Sequence, residues 1–477
     1  MGGFFGVVSR TDCVVDLFYG MDYHSHLGTK RGGLAVINKS GFTRYIHDIS
    51  IAQFRSKFDD DIRKMSGDMG IGIISDYEDQ PLLIGSHLGN YSIVTVGVVK
   101  NLQELVQKAF HKKTTHFSEM SGNEINPTEL VATLINQGAS FPEGIRNAQQ
   151  SIEGSCSLLL LTDKGIYAAR DRLGRTPVII GKGPNGYAVT LETCALPNLG
   201  YEVVKNLGPG EVAFLTKEGV EYVLPAGSTM QMCSFLWIYY GYPASDYEGI
   251  NVEEARYRCG AALAKRDDVT VDYAAGIPDS GTAHAIGYAN QAEVPFKRSF
   301  VKYTPTWPRS FMPQLQSTRD LVAKMKLIPI ASLTCGARIL FCEDSIVRGT
   351  QLRDTLGRLY AYGAREIHMR PACPPLLFGC KFLNFSRSKS EMDLAARKAI
   401  KELEGDREPA LSEYADHESA KFKAMVEKIR ENMGLTTLRY QVLDDMIAAI
   451  GLPKHCLCTY CWNGCEKNTE GTEINFI

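Results

Sequence analysis

The chain has 477 residues, 44% of them apolar and 22% charged, the composition of an ordinary globular protein with room for roughly two to four domains. Lys and Arg total 52 against 54 Asp and Glu, a net charge of −2 with no basic stretch, which excludes the electrostatic footprint of a nucleic-acid binder. No apolar run approaches the roughly 18 residues of a membrane span, and the start MGGFFGVVSR lacks both the basic and the long apolar segment of a secretory signal. Its sixth residue is Gly where a myristoylation site takes Ser or Thr, so the cytoplasm is the expected location, without a membrane partner.

In chain order, short strand-like runs at 4–9, 34–38, 157–161 and 178–181 are separated by Gly, Asn and Pro turns. Apolar residues recur at helical spacing over 102–110 and 127–138. This part reads as mixed α+β. Beyond Leu224-Pro225-Ala226-Gly227 the pattern changes to strands alternating with amphipathic helices, as in a parallel α/β sheet. A boundary near residue 230 divides the chain into units 1–230 and 231–477. Residues 388–433 are charge-rich with a helical period, which predicts solvated helix faces.

The most informative local pattern spans 338–351. An apolar strand runs into Glu343 and Asp344, then a turn of Ser345, Ile346, Val347, Arg348, Gly349 and Thr350, then a helical stretch bearing Leu352, Leu356 and Leu359. Backbone N–H groups at such a turn form an anion site, and Ser345 and Thr350 add hydroxyl donors. Carboxylates at a strand's C-terminal end accept hydrogen bonds from sugar hydroxyls, so the pattern suits a sugar phosphate. The Walker spacing is absent. The same residues also read more simply, as an acidic strand end followed by a helix cap.

Thirteen cysteines without an export signal are read as thiols, metal ligands or core fillers. Cys13, Cys156, Cys194, Cys259, Cys335, Cys342 and Cys373 are scattered and read as small buried hydrophobes. Cys456, Cys458, Cys461 and Cys465 fall within ten residues and suggest a metal, a tetrahedral zinc being one choice. His24 and His26 have no third ligand at metal spacing and read as core or surface residues. Trp307 is either an aromatic over a substrate base or a packing anchor.

The run Glu343 to Thr350 resembles the phosphoribosyl-pyrophosphate (PRPP) loop of type I phosphoribosyltransferases, in the form found in the glutamine PRPP amidotransferase family. Gly276-Ile277-Pro278-Asp279-Ser280-Gly281 resembles that family's diphosphate loop, and Met325-Lys326-Leu327 also matches. In the first half Gly3-Phe4-Phe5-Gly6, Arg172-Leu173-Gly174-Arg175-Thr176-Pro177, Leu191-Glu192-Thr193-Cys194-Ala195 and Pro209-Gly210-Glu211 resemble its glutaminase domain in order. The resemblance covers nearly the whole chain. It implies an α+β N-terminal-nucleophile-hydrolase-like domain, an αββα sandwich, followed by an α/β type I phosphoribosyltransferase domain with a parallel sheet. It further implies PRPP held by Pro278, Asp279, Ser280, Gly281 and Ser345 to Thr350, and Mg²⁺ near Glu343 and Asp344, which with Lys302 and Arg309 form the catalytic set. Glu343 stands where the family more commonly has Asp, and its carboxylate reaches about one methylene further. Lys302 and Arg309 belong to the stretch 302–311, which keeps the ends of the family's mobile loop while losing its central Arg-Tyr and gaining two prolines. Some members carry a [4Fe-4S] cluster, and its ligand pattern falls on Cys233, Cys380, Cys458 and Cys461, preferred here over zinc. A dimer or tetramer is implied.

The departures bear most on function. The family's glutaminase opens on a nucleophilic Cys, whereas this chain has Gly2 there, and Cys13 is a poor substitute. The arginine that grips the glutamine carboxylate falls on Ser75, the Asn-Gly of the oxyanion hole on Val96-Gly97, and the aspartate for the substrate amine on Pro127. These changes predict no glutamine hydrolysis. Two functions follow as alternatives. One is a phosphoribosyltransferase using free ammonia, another amine, or ammonia from a glutaminase-active partner. The other is a non-catalytic PRPP-binding regulator of an active amidotransferase.

Overall fold

The computed structural model describes residues 2–111, 117–121, 124–303, 327–383, 390–467 and 473–475. Seven antiparallel strands form the first sheet, ordered Glu202–Asn206, Ile179–Lys182, Gly186–Thr190, Gly3–Ser9, Met69–Ser75, Arg31–Asn38, Gly41–Asp48. Six form the second, ordered Val220–Leu224, Val212–Leu215, Ile166–Ala169, Gly154–Leu161, Gly89–Val99, Leu82–Ser86. The central strands read as continuous apolar runs because both of their faces are covered. In Gly3–Ser9, Phe4 and Val8 enter the core between the sheets with Ile71, Ile73, Leu159 and Leu161. Phe5 and Val7 point the other way, into the cluster that holds Leu17 and Met21 of the helix Val14–Asp22. The outer face of the second sheet packs on Leu102–His111, Pro127–Ile135 and Phe141–Ser151 through Leu105, Leu130 and Ile145. Helix, sheet, sheet and helix thus lie in four layers.

The later part carries a four-stranded parallel sheet, ordered Tyr273–Gly276, Arg338–Glu343, Glu366–Pro371, Thr437–Leu438. One face meets Val252–Lys265 and Gly281–Ala292 through Leu263, Ala285 and Tyr288. The other face buries Ile339, Phe341, Ile367 and Met369 against Leu356, Leu359, Met425 and Ile429. That apolar cluster runs on through Trp237 to Phe5, so the two parts share a core. Their contact also holds a polar lock. Buried Glu192 accepts from Tyr247 Oη at 2.7 Å and from Ser245 Oγ, and His26 Nε2 lies 3.0 Å from its other oxygen. His24 and His26 therefore serve structure, His24 being fully buried between Gly20 and Thr190.

Two details differ from the sequence expectation. The helical period over 388–433 is divided among Ala395–Glu404, Leu411–Ala415 and Ala420–Met433, with Gly405 ending the first and Ser419 capping the last through Phe422 N at 2.9 Å. Cys335 is exposed rather than a core filler, because it closes the short helix Ala331–Thr334 at a surface turn. Among the described residues no helix is long and apolar enough to cross a membrane.

Candidate functional site

The strand Arg338–Glu343 is central in the parallel sheet and delivers Glu343 and Asp344, both buried, to its C-terminal edge. Beside it the strand Tyr273–Gly276 delivers the loop through Gly281. The two loops are stitched together. Ile277 N donates to Cys342 O at 3.0 Å, and Ser280 Oγ donates to Glu343 Oε1 at 3.1 Å. Gly281 lies so close that a Cβ there would stand 2.2 Å from Cys342 O, so only glycine permits this approach. Asp344 N donates to Glu343 Oε1 at 3.1 Å, and Ser345 Oγ to Asp344 Oδ2 at 2.6 Å. Burial, reinforced by the adjoining Asp344 carboxylate, pushes Glu343 well above the usual carboxylate range.

Downstream, Ile346 is packed in the core, so its side chain is structural and only its backbone is available to a ligand. Val347 O accepts from Ala395 N at 2.8 Å, and Gly349 caps the helix Thr350–Ala361 with a positive φ of 75°. Arg348 is exposed. Lys302 is ion-paired with Asp279 of the diphosphate loop. Arg309 and Trp307 lie outside the described residues.

A second, small cleft brings together the five positions onto which the resemblance places the glutaminase residues. Gly2, Ser75, Val96, Gly97 and Pro127 line it, with Glu78, Cys156 and Leu383. Pro127 opens the helix Pro127–Ile135, with Asn126 Oδ1 capping Thr128 N at 2.9 Å, a position where proline's fixed φ is favoured and no carboxylate projects. Ser75 Oγ donates to Glu78 Oε2 at 3.2 Å, and burial raises the Glu78 carboxyl. At Gly2 a Cβ would stand 2.5 Å from Ile74 O, so a side chain there requires a shift of the local backbone. Cys156 is the thiol in this cleft, but burial and then the carboxylates of Asp171 and Glu78 push it up to about 12, the reverse of an activated nucleophile. Cys13 is buried at the start of Val14–Asp22, its thiol likewise raised by burial and by Asp12. Cys156 and Glu78 were not visible as cleft residues in the sequence, because the pairing of Gly97 with Cys156 across two strands brings the first there and the turn after Met69–Ser75, held by Ser75 Oγ, brings the second.

The third constellation is made of thiols. Cys233 and Cys458 are register partners in a two-stranded parallel ladder, Met232–Cys233 with Leu457–Cys458. Cys461 hydrogen-bonds Cys380 and senses Cys233 and Cys458 electrostatically. The four cysteines singled out by the resemblance thus converge from three segments. Arg175, 2% exposed, meets them. Its Nη1 donates to Cys458 Sγ at 3.1 Å, its guanidinium lies 3.5 Å from the centroid of Phe382, and its buried Nε has no partner among the described residues. Among the described residues no group of three or more His, Cys, Asp or Glu is gathered around a point that could hold a single metal ion, and this applies to Cys456, Cys458, Cys461 and Cys465 and to Cys233, Cys380, Cys458 and Cys461 alike. Cys458 and Cys461 lie toward Cys233 and Cys380.

Comparison with known proteins agrees with this geometry. The family model for a glutamine amidotransferase domain matches residues 68–198. The amidophosphoribosyltransferase of Archaeoglobus fulgidus is 30% identical over 325 residues, 68% of this chain and 70% of that protein. That of Methanocaldococcus jannaschii is 27% identical over 504 aligned positions, spanning 100% of this chain and 98% of its own. Among solved structures, the glutamine PRPP amidotransferase of Bacillus subtilis, complexed with ADP and GMP, superposes with a TM-score of 0.82 at 26% identity, covering 97% of this chain and 96% of that one. With its paired-carboxylate loop at the edge of a parallel sheet and similarity along its whole length, the chain belongs to the amidophosphoribosyltransferase family.

Proposed function

We propose that the protein displaces diphosphate from PRPP with ammonia, or another amine, and does not hydrolyse glutamine itself. In this reading unit 231–477 performs the transfer and unit 1–230 is a scaffold. The observation that carries it is the contrast between two sites of one chain. The five positions meet in a small cleft where Ile74 O crowds Gly2, while the loops bearing Ser280, Glu343 and Asp344 remain stitched at the sheet edge. Backbone amides of 345–350 would hold the sugar phosphate and those of 276–281 the diphosphate. Glu343 and Asp344 would accept ribose hydroxyls and carry Mg²⁺, which neutralises the departing diphosphate. What remains for the protein is to position the amine against the anomeric carbon and exclude water. One solved relative, superposing with a TM-score of 0.83 at 25% identity, is described as the allosteric regulatory enzyme of purine biosynthesis, and phosphoribosylamine formation there is the role we assign.

The four convergent cysteines fit a [4Fe-4S] cluster, which takes four thiolates. The physical support is Arg175, a buried guanidinium whose Nη1 meets a thiol and whose Nε is orphaned, an arrangement that suits an anionic sulfur-rich group. Cys233, Cys380, Cys458 and Cys461 would then staple the chain's last segment to the rest. A second reading, a PRPP-binding regulator without turnover, is favoured by Lys302, whose ammonium is already engaged by Asp279.

The test is diphosphate release from PRPP and Mg²⁺ by anaerobically purified protein, with glutamine, with ammonium at alkaline pH, and with no amine. Ammonium is expected to support release and glutamine to add nothing. Glutamine-dependent release without ammonium would overturn the reading, and PRPP binding without release under any condition would establish the regulator instead.

A further inference from the structure

We infer that Arg175 is the residue by which the glutaminase-like part of the chain grips the thiol site and sets its electronic properties; the inference rests on the iron–sulfur reading above. All four cysteines of that site follow residue 230, whereas Arg175 comes from the turn between the strands Ile166–Ala169 and Ile179–Lys182 of the sheet pair. It touches each ligand-bearing segment. Its carbonyl oxygen accepts from Cys233 N at 3.1 Å, its Nη1 donates to Cys458 Sγ at 3.1 Å, and its guanidinium stacks on Phe382, two residues beyond Cys380.

Around Arg175 the polar accounting is incomplete. A guanidinium has five N–H donors and keeps its charge in any protein interior, so burial demands acceptors, preferably anionic ones. Arg175 is 2% exposed, yet it turns one donor to a thiol sulfur, a weak acceptor when neutral, and leaves Nε unanswered. Thiolate and sulfide sulfurs bound to iron are anionic acceptors of the kind these two donors lack among the described residues. Hydrogen bonds to the sulfurs and nearby positive charge are among the factors that set the reduction potential of such a cluster, both favouring the reduced, more negative state. Arg175 therefore raises the potential and shields the cluster from loss. Because it is anchored in the other part of the chain, it makes the domain contact sensitive to the cluster's charge.

The experiment uses anaerobically purified full-length wild type, Arg175→Lys and Arg175→Met, measuring iron and acid-labile sulfide, the midpoint of an EPR-monitored redox titration, and the half-life of visible absorbance in air. Arg175→Met is expected to titrate at lower potential. At the wild-type midpoint its reduced-to-oxidised ratio should fall at least tenfold, which is about 59 mV for a one-electron couple. It should also bleach faster, and Arg175→Lys should lie between the two. Where Arg175→Met does not fold, Arg175→Gln, which keeps a donor without the charge, carries the same comparison. A loaded, charge-free variant with the wild-type midpoint and half-life would overturn the role of Arg175 while leaving the cluster intact. Wild type containing neither iron nor sulfide would overturn the cluster reading itself.

Discussion

Gly2→Cys, which puts a thiol at the position where the resemblance places the family's nucleophile, is expected not to produce glutamine hydrolysis. A Cβ at position 2 would stand 2.5 Å from Ile74 O, about 1 Å short of an ordinary contact of roughly 3.5 Å. That oxygen is poorly placed to yield, since Ile74 pairs with Gly3 on one side and Gly32 on the other, both within one seven-stranded sheet. Overpacking of this kind costs about 1–3 kcal/mol. In the proposed reading a cysteine accommodated there would share its cleft with Ser75, Val96 and Pro127 in place of a carboxylate clamp, an oxyanion donor and an amine partner, and one oxyanion donor alone is worth roughly 100- to 1,000-fold in rate. The assay is glutamate release by full-length Gly2→Cys, with removal of the initiator methionine checked by intact mass, alongside its urea midpoint. Lower stability and no glutamate above wild type are expected. Glutamine hydrolysis well above wild type at unchanged stability would refute the claim that a side chain at position 2 requires a shift of the local backbone.

Asp344→Asn removes a buried anionic acceptor at the PRPP loop and should cost about 1.5–3 kcal/mol of transition-state binding, roughly 10- to 100-fold in kcat/KM for PRPP; unchanged turnover would discard the loop assignment. Cys458→Ser removes both a proposed iron ligand and the sulfur that Arg175 contacts, so iron content should fall and residues 457–467 should become protease-sensitive, whereas unchanged iron would sink the ligand set. Acid should weaken the fold between pH 6.5 and 4. Burial holds His24 down to about 4 and His284 to about 3, so only the unfolded chain takes up these protons as the pH falls through 6.5. Stability is complete above 6.5 and declines toward the folded values, by on the order of 3 kcal/mol for His24 alone. A urea midpoint constant across that window would contradict the sign.

Much of the molecule was legible from local pattern. Strands such as Gly3–Ser9, the helices Leu102–His111 and Pro127–Ile135, and the passage from Arg338–Glu343 into an anion-type loop follow from periodicity and turn chemistry, which are properties of neighbouring residues. That Gly2 stands at the position where the resemblance expects a cysteine was likewise legible, since it needs only a position in a motif. What the sequence could not determine was which distant residues share a space. The cleft that unites Gly2 with Ser75, Gly97 and Pro127 depends on two strand pairings in different sheets and a helix start, and none of these is encoded in local spacing. The density of cysteines at 456–465 pointed to a local metal site, but the fold directs two of those thiols to Cys233 and Cys380 and places Arg175 against them. Register and burial are collective outcomes of packing, so only the tertiary structure decided that a buried cation faces the thiols and that a carbonyl oxygen lies 2.5 Å from where a Cβ at position 2 would stand.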